Sequence, residues 1–193
     1  GQSYIWDNGV SNGISFVPTS STTYTVIGTD LNGCENTDSL ELTILSLPQV
    51  EAGIDLSICA GDSITLNVTG ALTFSWDNGV SNGISFAPPS TAYYTVTGTD
   101  LNGCNNTDSL LVTVFNLPFV DAGIDTSLCE GSSFVLNAIG AQSYTWSNGA
   151  LNGSSLTPVS TSTYLVTGVD LNGCINIDSL TVAINSLPIV NAG

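Results

Sequence analysis

The segment Gly-Thr-Asp-Leu-Asn-Gly-Cys ends at Cys34 and again at Cys104, and Gly-Val-Asp-Leu-Asn-Gly-Cys ends at Cys174, each 70 residues after the last. Other landmarks keep the interval: Trp6, Trp76 and Trp146; Tyr24, Tyr94 and Tyr164; Cys59 and Cys129; Pro48, Pro118 and Pro188. A fixed period of this length marks a tandem array of small domains and constrains the fold more than any single motif. The array divides as 1–48, the C-terminal part of one repeat; 49–118 and 119–188, two whole repeats; and 189–193, the start of another. Gly1 aligns with Ala71, inside a unit, and Gly193 aligns with Gly53 and Gly123. The termini therefore read as edges of a region within a longer protein.

Within the unit 49–118, apolar residues alternate with polar ones at period two. Val50 to Cys59 reads as a first strand, with Gly53 as a break point, and Ala60-Gly61-Asp62 as a turn. Ile64, Leu66 and Val68 mark a second strand, Phe74 and Trp76 a third, and Ile84-Ser85-Phe86 a short fourth. Tyr94, Val96 and Gly98 mark the penultimate strand, and Leu110, Val112 and Val114 the last. Asn-Gly pairs at 78–79 and 82–83, and the run Asp100-Leu101-Asn102-Gly103, read as turns. No segment has helical periodicity. About seven short strands, one Trp on the third and a Tyr opening the penultimate one predict an all-β chain of tandem Ig-like β-sandwiches arranged end to end. The short connections through Pro48, Pro118 and Pro188 predict a stiff array.

The chain has no Lys, Arg, His or Met, and its 16 Asp and Glu give a formal charge of -16. No imidazole base, Schiff-base amine or cationic clamp is available, so the composition points away from an enzyme. Without cationic side chains, binding to nucleic acid or to anionic lipid is not expected. No apolar run reaches the length of a membrane span.

The strings Val50-Glu51-Ala52-Gly53-Ile54-Asp55, Ser57-Ile58-Cys59-Ala60-Gly61-Asp62-Ser63-Ile64-Thr65-Leu66, Phe74-Ser75-Trp76 and Tyr94-Thr95-Val96-Thr97-Gly98-Thr99-Asp100-Leu101-Asn102-Gly103-Cys104 resemble the Ig-like, PKD-like repeats of giant cell-surface proteins of Bacteroidota. The resemblance spans the whole chain. It implies an extracellular, cell-surface location, export by type IX secretion, and service as an adhesin, a gliding-motility filament or a surface fibre.

Five cysteines in an exported array, without His and without a CxxC pair, read as disulfide partners. Strand direction decides between pairings. Cys59 follows the first strand at one end of its sandwich, and Cys104 follows the turn before the last strand at the other. An eight-residue strand spans roughly 25 Å, whereas bonded cysteines have Cα atoms about 4.4–6.8 Å apart. The favoured pair is therefore inter-repeat, Cys59–Cys174. Pairing within repeats, Cys59–Cys104 and Cys129–Cys174, is the alternative. Cys34, Cys104 and Cys129 would then pair with cysteines of neighbouring units beyond residues 1–193.

Two further site classes remain. Glu51 and Asp55, acidic residues near a linker, are the candidates for a calcium ion; no other cofactor is expected. The Asp-Leu-Asn-Gly turns lack the spacing of a calcium loop and read as hairpin turns. Ser39, Ser63, Ser109 and Ser179 stand in Asp-Ser-aliphatic triplets that resemble the O-glycosylation motif of Bacteroidota. Each Ser should face outward because the next residue faces inward, and added glycan would appear in the intact mass. Tyr93, Thr95 and Thr97 share one outer strand face. The expected partners are neighbouring repeats of the same chain and other copies in a filament. The expected function is a structural segment of an extracellular filament or stalk. The alternative is an adhesin module recognising glycans or surfaces, which binding of a two-repeat piece to a glycan array would reveal.

Overall fold

The computed structural model describes residues 2–193, with every side chain but that of Asn148. Gly1, the first residue of the 1–48 segment, lies outside the described residues. The described residues are all-β, apart from one 3-10 turn at Ser147–Gly149. The 1–48 segment contributes β1 (Ser3–Trp6), β2 (Thr22–Thr29) and β3 (Glu35–Leu42), an antiparallel sheet in that order. The next 70 residues contribute β4 (Leu56–Cys59), β5 (Ile64–Thr65), β6 (Thr73–Trp76), β7 (Ser85–Phe86), β8 (Ala92–Thr99) and β9 (Asn105–Phe115). The last repeat contributes β10 (Thr126–Cys129), β11 (Phe134–Val135), β12 (Ser143–Trp146), β13 (Ser155–Leu156), β14 (Ser162–Val169) and β15 (Ile175–Asn185).

The two whole repeats share one topology. A four-stranded sheet runs β4-β9-β8-β6 in one and β10-β15-β14-β12 in the other, and a two-stranded sheet, β5-β7 or β11-β13, forms the second layer. First and last strands pair in parallel, while β12, β14 and β15 pair antiparallel. Two layers, with a parallel first-to-last pairing beside an antiparallel remainder, make each repeat an Ig-like sandwich.

The expected first strand is divided between the layers. Asp121 makes an antiparallel bridge to Ile139, Gly123 turns with φ +91°, and β10 then runs beside β15. Gly53, with φ +102°, makes the same break after the bridge from Glu51 to Thr69. A left-handed backbone at that point favours Gly because no Cβ crowds the carbonyl. The second strand is also shorter than its alternation suggests: only Ile64–Thr65 and Phe134–Val135 pair as strands.

The chain divides into two compact units, one of residues 1–51, 69–75 and 97–108, and one of residues 52–68, 76–96 and 109–193. The first holds the β1-β2-β3 sheet. The second holds the whole 119–188 repeat with its core. There the inward positions of β14 and β15 meet Val120, Leu136, Ala138 and Trp146, and Tyr164 stands opposite Leu180 in the ladder. Gly168 is required by packing: a Cβ there would lie 2.5 Å from Cγ2 of Val120 and 2.8 Å from Cβ of Ala141. Gly140, with φ +97°, sits under the start of the repeat, where a Cβ would fall 1.8 Å from the carbonyl oxygen of Phe119.

Candidate functional site at the join between repeats

Each of the Asp-Leu-Asn-Gly-Cys turns is built around its aspartate. In the last repeat, Oδ1 of Asp170 accepts from the main-chain N–H of Asn172 at 2.8 Å and of Cys174 at 2.9 Å. Gly173, with φ +83°, donates to the Asp170 carbonyl at 3.3 Å, and Asp170 donates to the Cys174 carbonyl at 3.0 Å. The loop is thus held by its own short polar side chain, as Asp-led turns are, and it presents the cysteine in a fixed place. Asp30 and Asp100 make the same bonds. The main-chain N–H of Cys34 holds the Asp30 carboxyl below its ordinary value of 3.8, and the N–H of Asn32 adds to this.

The other cysteine comes from the turn after the first strand. Asp62 Oδ2 accepts from the Cys59 N–H at 3.1 Å, and Asp62 donates back to the Cys59 carbonyl at 3.0 Å. Ala60 donates to the Phe115 carbonyl at 2.8 Å, which ties this turn to the end of the last strand.

Cys59 and Cys174 are bonded, with Cα atoms 5.5 Å apart and a sequence separation of 115. Both lie in the second compact unit, and Cys174 is fully buried. The bond joins the 49–118 repeat to the 119–188 repeat. The alternative pairs, Cys59–Cys104 and Cys129–Cys174, are absent, and Cys34, Cys104 and Cys129 are free thiols. Register explains why the favoured pair forms and the alternatives do not. Cys129 stands opposite Asn185, eleven residues along the chain from Cys174, which is roughly 36 Å of strand. Cys59 likewise stands opposite Phe115 at the far end of β9.

Main-chain clamps secure the start of the following repeat. Nδ2 of Asn176 donates to the Pro118 carbonyl at 3.0 Å, and Asp178 Oδ2 accepts from the N–H of Ala122 at 2.7 Å. Asn106 makes the equivalent bond to Pro48 at 3.1 Å. The Ala122 N–H, then that of Ser179, holds the Asp178 carboxyl below 3.8. A depressed carboxyl adds stability that is present above its unfolded value and lost as pH falls through the folded one. Asp178→Asn should therefore melt below wild type at pH 7, and the gap should narrow below about pH 4. A gap that is constant from pH 7 to pH 3 would remove the carboxylate from this role.

Asp55, a calcium candidate in the sequence, serves as a strand clamp: its Oδ1 accepts from the Leu111 N–H at 2.8 Å, and Asp125 does the same for Thr181. Glu51 is exposed, its main chain paired with Thr69. No group of three carboxylates or thiols suited to a metal gathers among the described residues. Ser39, Ser63, Ser109 and Ser179 are all exposed. Tyr93 is exposed too, with Thr95 and Thr97 half-buried beside it.

One set of working residues escaped the sequence reading. Oδ1 of Asn152 accepts from Trp146 Nε1 at 2.9 Å and from the Ala138 N–H at 2.7 Å, and Nδ2 donates to the Ala138 carbonyl at 3.1 Å. Asn82 bonds both Trp76 and Val68. Asn12 Oδ1 accepts from Trp6 Nε1 at 3.3 Å. The recurring signal was a Trp followed six residues later by Asn, in all three repeats.

No family model matches the chain, and no curated protein matches it. Among solved structures, it is similar to the insect immune protein hemolin at 14% identity and a TM-score of 0.41, over 84% of this chain and 56% of hemolin. It is similar to Sidekick-1 immunoglobulin domains 1-5 at 16% identity and 0.33, over 96% of this chain and 52% of that one. The I-band fragment I67-I69 of titin gives 9% and 0.39, over 95% and 88%. The chain thus spans little more than half of the hemolin and Sidekick-1 chains. At such scores the fold assignment stands on strand order and register instead.

Proposed function

We propose that this chain is a structural segment of an extracellular filament or stalk, of the type built from Ig-like repeats in giant Bacteroidota surface proteins and exported by type IX secretion. In it, each repeat is covalently fastened to the next. The observation that carries the reading is the Cys59–Cys174 bond, which crosses from one repeat to its successor. A bond of that kind suits an oxidising, extracellular setting. The lack of Lys, Arg and His leaves the common catalytic and anion-binding chemistries without side chains to perform them, so the reading is of a non-enzyme. Among the described residues no helix is long and apolar enough to cross a membrane.

A mechanical role makes a mechanical prediction. The 115-residue span between the two cysteines cannot extend under load while the bond is intact. Pulling single chains from their ends in a reducing buffer should release roughly 400 Å more contour length than in a non-reducing one, at about 3.5 Å per residue. Equal lengths under both conditions would defeat the proposal.

A further inference from the structure

The outer face of the four-stranded sheet in the 119–188 repeat carries no charge. On β14 and β15, Tyr164, Val166, Leu180 and Val182 are buried in the core. The residues that alternate with them, Thr163, Leu165 and Thr167 on one strand and Ile177, Ser179 and Thr181 on the other, therefore point away from it. The ladder sets Leu165 opposite Ser179, Thr167 opposite Ile177 and Val169 opposite Ile175. Ser143 and Thr145 of β12 continue the face beside Val169 and Thr167. Leu165, Ile175 and Ile177 are 48%, 52% and 56% exposed. One such residue would be ordinary, but three at adjoining ladder positions form a patch. Thr163 and Thr181 bond each other's hydroxyls at 3.1 Å, which leaves the face less polar than its composition.

The five carboxylates of this repeat stand elsewhere. Asp121 is in the bridge to Ile139, and Asp125 precedes β10 and holds the Thr181 N–H. Glu130 follows β10, and Asp170 lies in the turn between β14 and β15. Asp178 faces the opposite side of β15, where it holds the Ala122 N–H. The chain as a whole carries -16 and no cation.

We propose that this face is a lateral contact between copies of this chain, the outer sheet of one copy laid on the outer sheet of another. Charge and period select that occupant. Two chains of the same sign repel wherever carboxylates meet, and an uncharged face is where they can touch. A second copy also presents the same face at the same interval. Shifted by 70 residues, Leu165, Thr167, Ile177, Ser179 and Thr181 become Thr95, Thr97, Thr107, Ser109 and Leu111, again without charge. The 1–48 repeat departs from this, with Glu35 and Glu41 at the Ile175 and Thr181 positions, and is left out of the contact. The paired strands of one repeat offer roughly 400 Å², so two facing repeats would bury about 800 Å², below the roughly 1,200 Å² of a stable interface. A single pair of repeats should thus associate weakly, and further uncharged repeats add to it. Sheet-on-sheet packing of this kind goes beyond the end-to-end fastening and does not depend on it.

The test is sedimentation velocity of the whole chain at several concentrations, its free thiols alkylated so that no new disulfide joins copies. Raising NaCl from about 0.01 to 1 M shortens the screening length from about 30 to 3 Å and removes most of the repulsion. The expected result is a monomer at low salt and reversible dimers at high salt, with the association constant rising at least tenfold. Ile177→Asp and Thr145→Asp, both at exposed positions on the face, should each lower the high-salt constant at least tenfold. Val159→Asp adds the same charge at a position 92% exposed in the loop before β14, off the sheet, and should stay within twofold of wild type. A wild type that remains monomeric at high salt would overturn the inference, as would a Val159→Asp loss equal to that of the two face variants. A glycan on Ser179 of the secreted protein, found on peptide 178–193 after cleavage before Asp, would overturn it too, because the sugar would stand in the middle of the face. Mapping the Cys59–Cys174 bond in the same sample separates the two levels: a monomer with that bond intact defeats the lateral contact alone.

Discussion

Reducing the Cys59–Cys174 bond is expected to destabilise the second compact unit by about 5 kcal/mol. That is the chain-entropy value for closing a loop of this length, and the bond spans 115 residues. For a unit of this size it corresponds to a fall in Tm of roughly 10–20 °C. Thermal melting with and without reductant measures it. Cys59→Ser should show the low midpoint in both buffers, because the bond is already gone. An oxidised wild type that melts with Cys59→Ser would mean that the bond adds nothing to stability. The expected size follows from what the bond restrains. The pairing of β10 with β15 and the clamps at Asn176 and Asp178 persist without it, so the reduced protein should keep its fold and lose only the covalent closure.

Gly140→Ala should cost about 3–5 kcal/mol, combining a left-handed backbone with a forced shift of packed main chain. Its φ is +97°, and the added Cβ would lie 1.8 Å from the Phe119 carbonyl oxygen. That oxygen belongs to the first residue of the repeat, so relief of the clash must move the strand start away from Gly168 and the core. Gly173→Ala is the control. It has φ +83° and nothing within 4 Å of the added carbon, so it bears the backbone cost alone, about 1–2 kcal/mol. Urea denaturation of the two variants compares them directly. Equal midpoints would mean that the start of the repeat yields freely at Phe119.

Much of this architecture was legible because the array repeats. One alternating unit read three times located the turns, the inward Tyr164 and Val166, and the cysteines at opposite ends of a sandwich. Strand direction alone then separated the Cys59–Cys174 pair from its alternatives. Less legible was what depends on a single hydrogen bond across the sheet. Asp55 looked like a free carboxylate beside a linker, yet it holds the Leu111 N–H. Asn82 reads as a turn former beside Gly83, and its side chain also accepts from the Val68 N–H and the Trp76 indole, as Asn152 does from Ala138 and Trp146. The same residue types, Asn and Asp, serve both turns and clamps, and composition does not distinguish the two. The division of the first strand between layers was visible only as Gly53 and Gly123, whose positive φ is where the chain changes sheets.

Disulfide mapping of unreduced protein tests most directly whether consecutive repeats are joined covalently. Trypsin has no site in the chain, but cleavage before Asp isolates Cys59 on peptide 55–61, Cys174 on 170–177 and Cys104 on 100–107. The predicted product is peptide 55–61 joined to 170–177, and it should disappear on reduction. Recovery of 55–61 joined to 100–107 would place the bond within a repeat and contradict the account.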